Sequence, residues 1–383
     1  MQIPEITSQL VYLTAIFVLL VVPRALQKYR IPAPLTCFAL GIGIALISNE
    51  YLHDSTLGLF STLGISSLFL FAGLEVNVND LRKGVLHLTI HLLLRTLVLV
   101  AFSWGVIRYF DFSWQVAALL GLAILTPSTG FILESLSRLG INENEKFWVT
   151  SKAIAGELLA LLLLFVILKS ESYTTLAQSS GVLLIIAVGL PFLLIGLGRF
   201  VIPHAAGSEF SLLIMVGLIA AYLTKQIGVY YLVGAFLTGI SARLLRDRLP
   251  SIASEQNLHA VKLFASFFVP FYFFYSGMSV PQGALQWNSL WIGLAVSAAV
   301  IPIRIAFITL QRVVVHKDSV KSGVRIAVAL APTLIFTLVL AGILYERYGI
   351  SDALFGGLIV YAAISTMLPS LMLAKAISLD ISD

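Results

Sequence analysis

One carboxylate in this sequence stands where carboxylates are costly. Glu157 lies inside the apolar run Phe147 to Leu168, with Leu161 to Leu164 and Phe165 close behind it. An ionisable group in hydrocarbon is expensive and normally faces a protein interior or an aqueous cavity, which makes it a functional candidate by default. Ten residues into its run, Glu157 is roughly 15 Å deep at 1.5 Å per residue, near the midplane of a bilayer. Beside it, Gly156 allows another chain to approach closely. A hard monovalent cation such as Na⁺ or K⁺ needs several oxygens to replace its water. Glu157, Ser128, Thr129 and Thr333 could supply them, together with backbone carbonyls freed at two helix breaks and with Thr126 as an accessory. The same carboxylate can hold a proton instead. Burial favours the acid and a neighbouring cation favours the carboxylate, so one site can be tuned to hold H⁺ and metal ion by turns. Competition for it would couple the two fluxes.

The basic residues in apolar runs have several readings. Arg304 is the expected permanent counter-charge, since a guanidinium stays protonated and cannot itself carry the exchanged proton. The alternative is that it snorkels to the inner interface. Arg95 is either a site cation or a structural charge satisfied by carbonyls. Lys152 is expected to begin its span and to snorkel; five residues from Glu157, it is about 140° around a helix and on another face. His87 and His91, four apart, are expected to pack at the interface rather than to sense pH. Glu134 and Arg138 have the spacing of an ordinary helical surface pair.

The elements that position these residues are transmembrane helices. With 59% hydrophobic and 11% charged residues in 383, the chain has more apolar side chains than one soluble core could hide, so it reads as an all-α polytopic membrane protein. Thirteen spans are expected: 7–23, 33–49, 56–76, 86–108, 114–137, 147–168, 178–202, 209–224, 228–245, 260–279, 289–312, 323–345 and 352–376, each long enough for about 30 Å of hydrocarbon. Span 5 contains Thr126-Pro-Ser-Thr-Gly130 and span 12 contains Leu330-Ala-Pro-Thr-Leu334. Proline removes a backbone donor and clashes with the preceding turn, so both helices should be interrupted within the membrane. Seven spans separate the breaks, an odd offset that reverses direction, and Arg95 in span 4 and Arg304 in span 11 repeat it. The expected organisation is therefore two inverted repeats, 1–177 and 206–383, joined by span 7 in 178–205. Paired interrupted helices are the best sequence pointer to a transporter binding site.

Charge gives the orientation. With the N-terminus outside and the C-terminus cytoplasmic, cytoplasmic loops hold 17 of the 24 Lys and Arg and outside loops hold four, Arg108, Lys169, Lys225 and Arg347, as the positive-inside rule requires. The basic excess is thus topological and nucleic acid is not needed to explain it. The first basic residue, Arg24, follows span 1, so that span is expected to be retained in a multi-pass protein of the cell (inner) membrane. Cys37 is the single cysteine, and no zinc-site spacing, nucleotide motif or hydrolase motif occurs; no cofactor is implied and an enzymatic reading is a distant third.

On these residues the chain resembles the monovalent cation:proton antiporter superfamily, in the branch with bacterial potassium-efflux and sodium/proton exchangers. Leu68-Phe-Leu-Phe-Ala-Gly-Leu-Glu75, Thr126-Pro-Ser-Thr-Gly130, Leu232-Val-Gly-Ala-Phe-Leu-Thr-Gly239 and Phe273-Phe-Tyr-Ser-Gly-Met-Ser279 look like its segments, in its order. The resemblance implies a sodium/proton antiporter-like fold in which spans 4–6 and 11–13 form a mobile core, spans 5 and 12 cross, and the other spans form a dimerising scaffold. It implies an elevator motion of that core. The family's acidic motif on span 6 would be Gly156-Glu157, and its span 11 cation Arg304. A single carboxylate with Arg looks like the electroneutral members, one proton for one cation. The family's acid after the span 12 break is replaced by Ala331-Pro-Thr333. The second reading is a sodium-coupled organic-anion carrier of similar fold, using Arg95, Lys152 or Arg304 for its substrate.

Overall fold

A computed structural model describes residues 8–47, 54–76, 84–170, 172–205, 207–228 and 232–373. The first half contains α1 (Ser8–Leu26), α2 (Ala33–Ile47), α3 (Ser55–Leu74), α4 (Val85–Phe110), α5 (Trp114–Leu125), α6 (Thr129–Ser135) and α7 (Glu143–Lys169). The long α8 (Tyr173–Phe200) leads to α9 (Glu209–Gln226), α10 (Leu232–Leu244), α11 (Glu255–Met278), α12 (Trp287–His316), α13 (Val320–Ala329), α14 (Leu334–Tyr348) and α15 (Asp352–Met372). Ten segments, with α5 and α6 taken together, are long and apolar enough to cross a bilayer; α13 and α14 form an eleventh, bent by 48°, and α2 and α10 are shorter apolar helices. These account for the thirteen expected spans. The chain is a multi-pass, all-helical membrane protein.

Helix starts follow local chemistry. Asp54, Ser113, Ser254, Ser319 and Ser351 each accept a hydrogen bond from a first-turn N–H, satisfying donors that have no partner inside the helix. The start of α7 departs from expectation by four residues. Hydropathy places it at Phe147, but Asn142 and Glu145 close a reciprocal capping box, so the polar stretch from Glu143 is already helical. Glu145 also accepts from Arg325 Nε at 3.1 Å with both oxygens. That pair ties the start of α7 to α13.

Packing sorts the helices into two bodies. In one, α11 packs on α2 and α3, α10 on α3, α8 and α9, and α1 on α2. In the other, α12 packs on α13 and α15, α14 on α5 and α15, and α7 on α4, α5, α6 and α13. The principal contacts joining the bodies are α3 against α6 and α7 against α8. The first body owes its closeness to glycines: a methyl at Gly73 would strike the Phe236 carbonyl, and one at Gly277 the Phe38 carbonyl. Small residues let membrane helices meet backbone to backbone, where dispersion between them replaces the missing hydrophobic drive.

Candidate functional site

Two broken helices meet at the centre of the second body. Span 5 stops at Leu125 and restarts at Thr129; span 12 stops at Ala329 and restarts at Leu334. Proline stands in each gap, so the chain cannot continue its i to i−4 bonding there. The freed groups find each other across the gap. Ser128 N donates to Pro332 O at 2.8 Å and Ile335 N donates to Ser128 Oγ at 3.0 Å. Thr337 Oγ1 donates to Ala123 O at 2.7 Å, and Thr333 Oγ1 pairs with Ser365 Oγ at 3.1 Å. Ser128 and Thr333, expected as cation ligands, thus hold the crossing together with hydrogen bonds of their own.

The carbonyls of the two breaks are taken up in the same way. Arg304 Nη1 donates to Ile124 O and Ala331 O, both at 3.1 Å, and to the Tyr361 hydroxyl at 2.8 Å; its Nη2 donates to Leu330 O at 3.1 Å. Tyr361 donates to Ile124 O at 2.6 Å. Arg95 Nη2 donates to Leu125 O at 3.2 Å. A helix C-terminus carries partial negative charge on its unpaired carbonyls, which a guanidinium fork neutralises well. Arg304 therefore clamps the ends of α5 and α13 instead of snorkelling, and carbonyls expected to bind a cation are bound to arginine.

Glu157 is the fifteenth of the 27 residues of α7 and is 1% exposed. Thr129, at the start of α6, turns its hydroxyl and backbone N–H toward the carboxylate without reaching normal hydrogen-bond geometry, and the charge that acts on it is that of Arg95. Neither oxygen of Glu157 has a hydrogen-bond partner, and the buried hydroxyls of Thr126 and Thr129 have none either. Buried polar atoms are almost always bonded, so the unpaired oxygens of Glu157 and the facing Thr129 call for an explanation. Gly156 is required by Arg95: a methyl there would collide with Arg95 Nη1. Arg95, left open between two roles by its sequence, holds a carbonyl and also faces the carboxylate.

Lys152 does not snorkel. It is completely buried, and its Nζ donates to Gln311 Oε1 at 3.0 Å, an oxygen also 2.8 Å from His91 Nδ1. The early start of α7 makes Lys152 the tenth residue of the helix, on a face packed inside the protein and not at the start of a span. His87 packs as expected, stacked on His316 at 4.4 Å and edge-on to Trp148.

On the side where Arg24, Arg138 and Lys262 gather, cavities of about 420 and 450 Å³ separate α1, α2 and α11 from α6. Glu134 and Arg138 line both of them. From Glu134 to Thr129 is five residues of α6, about 7.5 Å of rise.

A model of the family described as "Sodium/hydrogen exchanger, transmembrane" matches residues 13–376. The chain belongs to this family. The chain is also similar to a curated protein, "Probable Na(+)/H(+) antiporter 3" of Methanocaldococcus jannaschii, at 26% identity over 280 residues, 70% of each chain. The solved sodium proton antiporter MjNhaP1 of the same organism shares the fold, with a TM-score of 0.67 at 16% identity and 94% of each chain covered. In this exchanger-family chain, Leu68–Glu75 and Leu232–Gly239 meet where α3 crosses α10, through Gly73 and Gly239. Those motifs pack the first body, and Thr126–Gly130 forms the break.

Sequence reasoning passed over Tyr361, Thr337, Ser365 and Gln311, all of which hold the crossing or Lys152. A signal for two of them existed: Tyr361 and Ser365 are four apart in the apolar span 13, so their polar groups share one helix face.

Proposed function

We propose that the chain exchanges a monovalent cation, Na⁺ or K⁺, for protons across the cell membrane, with Glu157 as the single exchange site. One observation carries this reading: a carboxylate at the middle of a transmembrane helix, fully buried, has neither oxygen in a hydrogen bond of normal geometry, with the buried Thr129 hydroxyl facing it. Glu157 and Thr129 are the ligands best placed for a cation, with Thr126 as an accessory, and Arg95 is the counter-charge that favours the carboxylate once the proton leaves. Ser128, Thr333 and Arg304 keep the crossing in shape around them.

Among the described residues Glu157 is the only carboxylate at the crossing. Loaded with H⁺ or with M⁺, the site carries the same charge, which favours one-for-one exchange that moves no net charge. Such a cycle escapes the roughly 2.3 kcal/mol per charge that 100 mV imposes. The two bodies joined by few contacts support an elevator motion of α4–α7 with α12–α15. Packing also recurs at an offset of seven spans, α2 on α11 with α10 on α3, and α4 on α7 with α12 on α15, which supports inverted repeats 1–177 and 206–383. We assign the N-terminus to the outside, the C-terminus to the cytoplasm, and dimerisation to the first body.

The test is competition. In proteoliposomes with an internal pH dye and no organic solute, the apparent KM for the driving cation should rise about tenfold per pH unit on the acid side while the maximal rate holds. A maximal rate that falls with a constant KM would mean that proton and cation occupy separate sites.

A further inference from the structure

Helices α4 and α12 turn broad apolar faces outward, with Leu93, Leu97, Val100, Ile303 and Leu310 exposed. Between them lies a cavity of about 150 Å³ that reaches the helix crossing. Val98, Phe102, Val300 and Phe307 wall it, and Arg95, Lys152 and Arg304 supply its charged lining, with His91 between them. No carboxylate lines it. Lys152 is 0% exposed and has one acceptor, the neutral Gln311 Oε1. An ammonium carries three donors, and taking such an ion out of water without an anion costs several kcal/mol. The acid whose charge reaches Lys152, Asp318, is paired to Arg312 instead of to the ammonium.

We propose that this cavity binds the head of a long-chain carboxylate that enters from the hydrocarbon between α4 and α12, its carboxylate on Lys152 and its chain along Val98, Phe102 and Val300. Arg95 and Arg304 add positive field from the inner wall. The size and depth of the cavity choose the ligand. Its floor is the helix crossing, at the depth of Leu125 and Leu330, which the head of a glycerophospholipid anchored at the interface does not reach. A single carboxyl group fits, and the apolar walls accept the chain behind it. A small inorganic anion has no use for those walls and would have to cross hydrocarbon charged.

The experiment is photolabelling of the full chain in nanodiscs with a long-chain fatty acid bearing a diazirine near its chain end. Labelled peptides should come from α4 and α12. Unlabelled fatty acid should compete, and the alcohol of equal chain length should not. Lys152→Met should lower labelling at least fivefold. Val300→Trp, which fills the cavity from a wall outside the exchange site, should lower it similarly while proton exchange stays at the parent's rate. Equal labelling in Lys152→Met and parent, or equal competition by the alcohol, overturns the proposal by showing an ordinary lipid-filled gap. Preferential competition by phosphatidic acid overturns it too. If Lys152→Met does not fold, undiminished labelling of Val300→Trp is enough to refute it.

Discussion

Arg304 is where two accounts of the exchange site part. If it serves the ion as a counter-charge, removing it should spare the fold; if it serves the crossing, removing it should weaken the protein first. The guanidinium makes four hydrogen bonds, three to carbonyls at the ends of α5 and α13 and one to Tyr361. Bonds to a charged group are worth about 1.5–3 kcal/mol each and are not additive, and breaking a buried charged network by removing one partner costs about 3–5 kcal/mol. Arg304→Met should therefore destabilise by about 3–5 kcal/mol, lowering the thermal midpoint by about 6–10 °C at roughly 2 °C per kcal/mol. Arg304→Lys keeps the charge but lacks the planar fork that spans two helix ends, so about half of that loss should remain. The assay is thermal unfolding of the purified chain in one detergent, followed by size-exclusion, with exchange measured per folded molecule. Arg304→Met as stable as the parent but unable to exchange would refute the clamp and return Arg304 to the ion.

Two further substitutions separate site from scaffold. Gly156→Ala pushes a methyl against the end of a flexible side chain, Arg95, so stability should change by less than about 1 kcal/mol while exchange in proteoliposomes falls at least tenfold; unchanged exchange would show that the position of Arg95 is immaterial. Gly73→Ala meets backbone on the other helix, the Phe236 carbonyl and Gly239 Cα, so α3 and α10 must part at about 1–3 kcal/mol. Its thermal midpoint should drop while the KM for cation per folded molecule holds, and a shifted KM would mean that this crossing reaches the exchange site.

Where the sequence was informative, the physics was local. Proline alone did not mark the breaks, since Pro23, Pro191, Pro270, Pro302 and Pro369 all lie inside continuous helices; proline beside hydroxyl residues that can take up the freed groups, repeated seven spans apart, did. The depth of Glu157 follows from counting residues along its run. What joins across the crossing was not legible, because it depends on partners far away in the chain. Thr337 finds Ala123 and Lys152 finds Gln311, separated by 214 and 159 residues. Lys152 read as an interfacial residue because hydropathy begins its span at Phe147, whereas a capping box extends the helix through polar residues that hydropathy discounts. Arg304 was expected to be the counter-charge and Arg95 was open between two roles, because spacing along the chain does not say which span faces the carboxylate. The carboxylate lies on α7, which packs against α4, and this brings Arg95 rather than Arg304 to its side.

The central claim is that one buried carboxylate holds H⁺ and cation by turns. The most direct measurement is the initial rate of cation-driven proton release by Glu157→Gln and by the parent, reconstituted at equal density after matched thermal midpoints confirm that both are folded. Glutamine keeps the shape and removes the charge and the titrating proton, so exchange should fall at least a hundredfold. A variant that still exchanges within twofold of the parent would contradict the assignment.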